Sequence, residues 1–211
     1  IGARLVSLHE RTSLLDPDAV GIIEVKANAE PVLQRSFAFH LGKKKTHVIQ
    51  VGDPAGIHYS YDLKQGAILQ VWRGKFLDAT QMWDNRGEPQ TSEPLGINVV
   101  QDGKFPLVLA HQVQPDSTEL VYKGYRLEAG RPVFMYDWTA AKLRVEDRIQ
   151  PAGNGLRRTL SLVGASPQKS DVEAVLATGH HLSLLQNGLA SQPGNFIEWK
   201  GAAAELLKMP A

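Results

Sequence analysis

The stretch Thr118-Glu119-Leu120-Val121-Tyr122-Lys123-Gly124-Tyr125-Arg126-Leu127-Glu128 alternates large apolar with polar side chains for much of its length, and nothing else in the chain restricts the fold as strongly. Side chains that repeat every two residues belong on a strand with one buried face and one wet face. Ala129-Gly130 and Pro132 interrupt the run, and Val133-Phe134-Met135-Tyr136-Asp137-Trp138 follows as a second β-rich segment. The pair reads as a hairpin turning over Glu128 to Arg131. The same logic recurs at Leu143–Ile149 and Leu156–Val163, separated by Pro151-Ala152-Gly153-Asn154-Gly155.

Upstream, strands are expected at Val20–Lys26, Val32–Leu41, His47–Val51, His58–Asp62 and Ile68–Arg73. Downstream they are expected at Asp171–Ala177, His180–Leu185, Asn195–Lys200 and Ala204–Leu207. Short helices fit Arg4–Glu10 and Asp78–Trp83, and residues 1–19 read as an irregular or short helical lead-in. Strands that recur this closely, with turn chemistry between them, predict an all-β antiparallel sandwich or barrel. A total of 19 Gly and 12 Pro in 211 residues supports many turns over long helices. No composition shift marks a linker, so one domain over residues 1–211 is the expectation. Asp84 to Lys104 has no periodicity and reads as a long loop, the kind of segment that often carries binding function.

Composition removes several function classes. Twenty-three Lys+Arg against 22 Asp+Glu leave a formal charge of +1, with no concentrated basic footprint for nucleic acid. No apolar stretch is long enough to cross a membrane as a helix. The absence of cysteine removes disulfides, thiolate metal sites, Cys nucleophiles and covalent c-type haem attachment. No basic segment followed by an apolar one stands in the sequence, so any export signal is expected to lie outside it.

The densest aromatic and charged cluster lies between Trp72 and Arg86, immediately before the aperiodic segment. Aromatic faces stack on the apolar faces of sugar rings, while Arg and Asp reach hydroxyls with two contacts each. Trp72, Arg73, Asp78, Trp83 and Arg86 therefore form a candidate carbohydrate platform, with Tyr125 and Arg126 reaching it from another strand. The plain alternative makes Trp72 and Trp83 core side chains, with Arg73 and Asp78 paired at the rim.

Of the seven histidines, His180 and His181 are adjacent and point to opposite faces of a strand. His47 and His58 fall on neighbouring strands without a carboxylate at diagnostic spacing. No zinc-ligand array is present, and Asp78, Asp84, Asn85 and Glu88 do not follow a calcium-loop pattern, so no metal is expected. Neither a Gly-x-Ser-x-Gly elbow nor a phosphate-binding glycine loop occurs, and no cofactor is expected. Gly52-Asp53-Pro54-Ala55-Gly56 reads as a turn. Lys43-Lys44-Lys45 reads as a solvated hairpin turn. A carboxylate pair for sugar chemistry depends on separation in space, with Asp62, Asp78, Asp137, Glu146 and Asp147 as candidates. The enzymatic alternative, an epimerase, lyase or hydrolase, would use His47, His58, Asp62 or Asp78 as acid and base.

Several stretches resemble a β-rich module found in large exported bacterial proteins: Thr46–Asp62, Leu69–Asp78, Trp83 with Arg86-Gly87, Pro94-Leu95-Gly96, Tyr122–Leu127, Pro132–Tyr136, Val145-Glu146-Asp147 and Leu156–Leu160. The resemblance runs from Pro31 to Val163. Those proteins often also carry c-type cytochrome, sugar-dehydrogenase-like or keto-disaccharide-hydrolase-like domains. The module has no assigned catalytic residues to carry over. Its company implies a periplasmic or secreted location, other domains of a parent chain as partners, and carbohydrate or redox metabolism. The hairpin order is also similar to large two-sheet sandwiches of the mutarotase type, a likeness of fold that does not assign function. The leading expectation is an exported accessory module that binds a carbohydrate or carbohydrate-derived ligand. A domain that only docks a partner domain is the third reading.

Overall fold

The computed structural model describes residues 21–84, 89–109, 118–152 and 155–163, together with the backbone of 172–174 and 196–200. The expected strands at His180–Leu185 and Ala204–Leu207 and the expected helix at Arg4–Glu10 lie outside the described residues. Two compact units form. One takes residues up to Asp62 with Ile68–Gln101, and the other takes Leu63–Ala67 with residues from Asp102 onward.

The all-β antiparallel expectation holds. The first unit is a six-stranded sheet built from β1 (Glu24–Val25), β2 (Val32–His40), β3 (Lys43–Gly52), β4 (Ile57–Asp62), β5 (Ala67–Asp78) and β6 (Glu93–Val100). Their order is β1-β5-β4-β3-β2, with β6 also paired to β5. A single helical turn, α1 (Thr80–Trp83), follows β5 where a short helix was expected. The second unit contains β7 (Leu107–Leu109), β8 (Leu120–Glu128), β9 (Arg131–Trp138), β10 (Leu143–Ala152), β11 (Gly155–Val163), β12 (Val172–Ala174) and β13 (Phe196–Lys200). Its main sheet runs β13-β11-β10-β9-β8, and β7 and β12 form a separate antiparallel pair.

Two tight turns set the hairpin registers. Leu41 and Gly42 lie at φ 48° and 77°, and Ala129 and Gly130 at 48° and 76°, so each pair makes a two-residue turn with both φ positive. Such turns match the right-handed twist of their strands, and glycine meets the second positive φ without strain. The first turn ends at Gly42, which moves Lys43-Lys44-Lys45 out of the expected turn and into β3. Lys45 there pairs with the buried Asp62 of β4 at 3.0 Å. Gly52–Gly56 is the expected turn, closed by a bond from the Gly56 amide to the Asp53 carbonyl at 2.9 Å.

The expected long loop is also corrected, since Glu93–Val100 of that segment is strand β6. Pro94 and Gly96 disguise it. Gly96 sits so close to β5 that a Cβ there would lie 2.0 Å from the Arg73 carbonyl oxygen, so the glycine permits the pairing.

In the first unit, Trp72, Phe76, Leu77 and Ala27 form a buried cluster with Val25 and Val32 packed against it. Each large side chain buried in this way contributes roughly 1.5–3 kcal/mol. In the second unit, alternation puts Phe134, Tyr136, Trp138, Val145, Ile149, Leu160 and Leu162 in the core. The same face buries an ion pair, Asp147–Arg158, whose guanidinium also donates to the Gly66 carbonyl at 2.8 Å. The opposite face carries a charge ladder. Arg126 holds Glu146 through two bonds of 2.8 Å, and Arg148 holds Glu128 through two of 2.9 Å. Val133, in register between Arg126 and Arg148, is buried beside them.

A cleft beside the bulge of β3

The Trp72–Arg86 cluster separates into a core part and a surface part. Trp72 is fully buried, stacked parallel on Phe76 with ring centroids 5.9 Å apart. Its indole N–H donates to the Phe76 carbonyl at 2.7 Å. Its place in the expected platform is therefore corrected: Trp72 is a core residue because the inward face of β5 needs its apolar area. Asp78 is a positioning residue, accepting the Thr80 amide at 2.8 Å and the Thr80 hydroxyl at 2.5 Å. Arg73 is exposed on β5, and Arg86 lies outside the described residues. Tyr125 and Arg126 belong to the second unit. Tyr125 makes an edge contact with Phe134 and is 42% exposed. Arg126 is committed to Glu146 and Glu128, and these bonds push its pKa up; its guanidinium holds the Glu146 carboxyl below the usual carboxylate range, while Glu128 is held low first by Arg148 and then by Arg126.

Trp83 is different. It is 50% exposed and lines a cleft of about 570 Å³ with Arg35, Ser36, Phe37, Thr46, His47, Val48, Met82 and Gln90. That volume lies within the range of small-molecule sites, roughly 300–1,000 Å³.

Local irregularity creates the cleft. The β2–β3 register pairs Ser36 with Val48 and Ala38 with Lys45, so Phe37 faces two residues, Thr46 and His47, across a bulge. A bulge bends its strand and re-aims a side chain. Here it also frees the Phe37 carbonyl to accept the Ser92 amide at 3.0 Å, and Phe37 forms a parallel bridge with Thr91. Residues 89–92 thus come back along β2. Gln90 is held at φ 53°, a left-handed conformation costing of order 1–3 kcal/mol for a residue other than glycine.

The wall opposite is α1. The Thr80 hydroxyl accepts the Ile23 amide at 2.8 Å, and the Ala79 amide donates to the Ile23 carbonyl at 2.8 Å. Gln81 accepts the Thr91 hydroxyl at 3.0 Å, which fastens the turn to the returning segment. Met82 and Trp83 then project into the cleft.

Beneath it runs a buried chain of polar side chains. Ser36, which lines the cleft, bonds Ser92 at 2.6 Å, and Gln50 donates to both hydroxyls at 3.2 and 3.3 Å. Ser60 donates to Gln50, Gln70 donates to Ser60 at 3.1 Å, and Asn98 donates to Gln70 at 3.2 Å. The chain crosses β2, β3, β4, β5 and β6 side to side. A buried polar network of this kind resists deformation while its members stay bonded.

The groups considered for acid–base chemistry do not converge. His58 is buried, its ring packed against both Trp72 and Phe76. Its Nδ1 accepts the Asp53 amide at 3.0 Å, which leaves Nε2 to donate to the Gly74 carbonyl at 2.9 Å. Burial pushes its pKa below the ordinary 6.5. His47 lines the cleft and bonds the Thr46 hydroxyl at 2.9 Å. Asp62 pairs with Lys45, Asp147 with Arg158, Glu146 with Arg126, and Asp137 with Arg144 and Lys123. Among the described residues, no three His, Asp or Glu side chains gather as a metal site would require.

Sequence reading found Trp83 and missed Arg35, Phe37, Thr46, Met82 and Gln90. What brings them together is the bulge of β3 opposite Phe37, which leaves no mark in a one-dimensional pattern. No family model, curated protein or solved structure matches this chain.

Proposed function

We propose that this chain is a non-catalytic binding module of an exported protein, and that it holds a carbohydrate in the Trp83 cleft. One observation carries the reading: an indole half exposed to solvent forms one wall of a cleft whose other walls present Arg35, Thr46, His47, Ser36 and Gln90. A flat aromatic face beside several hydrogen-bonding side chains suits a ring with apolar faces and a polar equator. Indoles left half in water at a concave site are the type of side chain that anchors ligands. The bonded network beneath Ser36 and the fastened α1 turn keep these groups in place before binding, which limits the ordering cost. The sequence resemblance to a module of large exported bacterial proteins, whose company implies carbohydrate or redox metabolism, points the same way.

A thermal-shift screen of the chain against neutral and acidic oligosaccharides tests it. Binding to the folded state raises stability by RT ln(1 + [L]/Kd), about 2.7 kcal/mol at a hundredfold excess over Kd. Trp83→Ala is expected to abolish the rise and Trp83→Phe to retain part of it, with the unliganded midpoint little changed because the side chain is half exposed. If no saccharide raises the midpoint at millimolar concentration, the proposal is wrong.

A further inference from the structure

We infer that the cleft selects a saccharide bearing a carboxylate, such as a uronic-acid oligomer, over its neutral counterpart. This inference rests on the carbohydrate reading above and adds the ligand's charge. Among the described residues, the lining includes Arg35 and His47 and no Asp or Glu. The Lys44 ammonium also stands 4.7 Å from the centroid of the Phe37 ring, itself part of the wall.

Arg35 differs from the arginines that are paired. Arg126, Arg144, Arg148 and Arg158 each hold a carboxylate. Arg35 is exposed and, among the described residues, has no carboxylate partner. Among the described acids near the returning segment, Glu93 is reached by the Gln81 amide at 3.5 Å, and neither Glu93 nor Asp84 lines the cleft. A guanidinium presents paired N–H donors that match a carboxylate, so its natural complement here is an acid carried on the ligand. With Trp83 under a sugar ring, a carboxylate on that ring or its neighbour would meet Arg35, while Thr46 and Gln90 would take hydroxyls. Attraction between exposed charges is screened by salt, so the preference should weaken as ionic strength rises.

The test is calorimetric titration of the full chain with oligogalacturonate, oligoglucuronate and oligomannuronate, each beside its methyl ester, which keeps the rings and removes the charge. At least one acid is expected to bind about tenfold or more tightly than its ester at low salt, a gap that narrows at 0.5 M NaCl. Arg35→Gln is expected to erase the gap while the ester still binds. Arg73→Gln makes the same change in net charge outside the cleft and is expected to leave the gap intact. Equal affinity for acids and esters overturns this inference and leaves the carbohydrate reading standing. A gap that survives Arg35→Gln, or falls equally in Arg73→Gln, also overturns it. If neither acids, esters nor neutral oligosaccharides bind, the carbohydrate reading itself fails.

Discussion

Removing either partner of the Asp147–Arg158 pair exposes how the second unit is held together. Both side chains are almost fully buried, joined by bonds of 3.0, 3.1 and 2.5 Å, and Arg158 also donates to the Gly66 carbonyl. Asp147→Leu leaves a buried guanidinium without its carboxylate, which costs about 3–5 kcal/mol. Arg158→Met leaves a buried carboxylate without its guanidinium. It also takes the donor from Gly66, adding up to about 1–3 kcal/mol for a buried acceptor. Set against the 5–15 kcal/mol that a typical domain has in hand, either change removes roughly a fifth or more of the stability. The double variant is different, because it removes both charges and substitutes apolar volume. It should fall within about 2 kcal/mol of the parent, the residue being the Gly66 carbonyl. The assay is urea unfolding of the four proteins, with amide exchange of β10 and β11 to assign the loss to the second unit. Should the double variant be as unstable as the sum of the singles, the coupling is absent and the argument is refuted.

Two further outcomes follow from other parts of the structure. Gly96→Ala places a Cβ 2.0 Å from the Arg73 carbonyl oxygen, a backbone atom that can yield only if β6 moves away from β5. The expected loss is at the upper end of the 1–3 kcal/mol typical of overpacking, with faster amide exchange along Ile97–Val100; unchanged exchange there would contradict the close pairing. The second concerns pH. The folded state keeps His58 neutral and its pKa lowered by burial, whereas the unfolded chain takes up a proton near 6.5. Below that pH the unfolded state binds more protons, so stability present above it is lost as pH falls toward the folded-state value. In urea unfolding between pH 8 and pH 5, His58→Gln should show a shallower loss than the parent, and an identical slope would exclude His58 as its source.

Much of the architecture was legible in one dimension. The hairpin of β8 and β9 announced itself because apolar and polar residues alternate for much of β8, on either side of a bulge between Tyr122 and Gly124, and Ala129-Gly130 supplies the turn. β10 and β11 were legible for the same reason. The strand β6 was not, because Pro94 and Gly96 are turn formers taken alone and become strand residues only when the free edge of β5 pairs with them. Lys43-Lys44-Lys45 looked like a turn because charge usually marks one, but the two-residue turn at Leu41-Gly42 leaves these lysines on the exposed end of β3.

At the site, the residue types around Trp72 and Trp83 suggested an aromatic platform but could not separate the two rings. What the sequence determined by itself was local: which segments alternate, where two-residue turns reverse the chain, and which chemistries are absent for want of cysteine or a motif. Burial and juxtaposition belonged to tertiary structure. Trp72 went inward because it lies on the covered face of a central strand, and Trp83 stayed half outside because it ends a single helical turn. Arg35, Phe37, Thr46, His47 and Gln90 met Trp83 only through a bulge and a returning segment. Pattern follows from the side chain's own preference and that of its immediate neighbours. A cleft depends on which distant backbones find each other, and that is decided by the packing of the whole sheet.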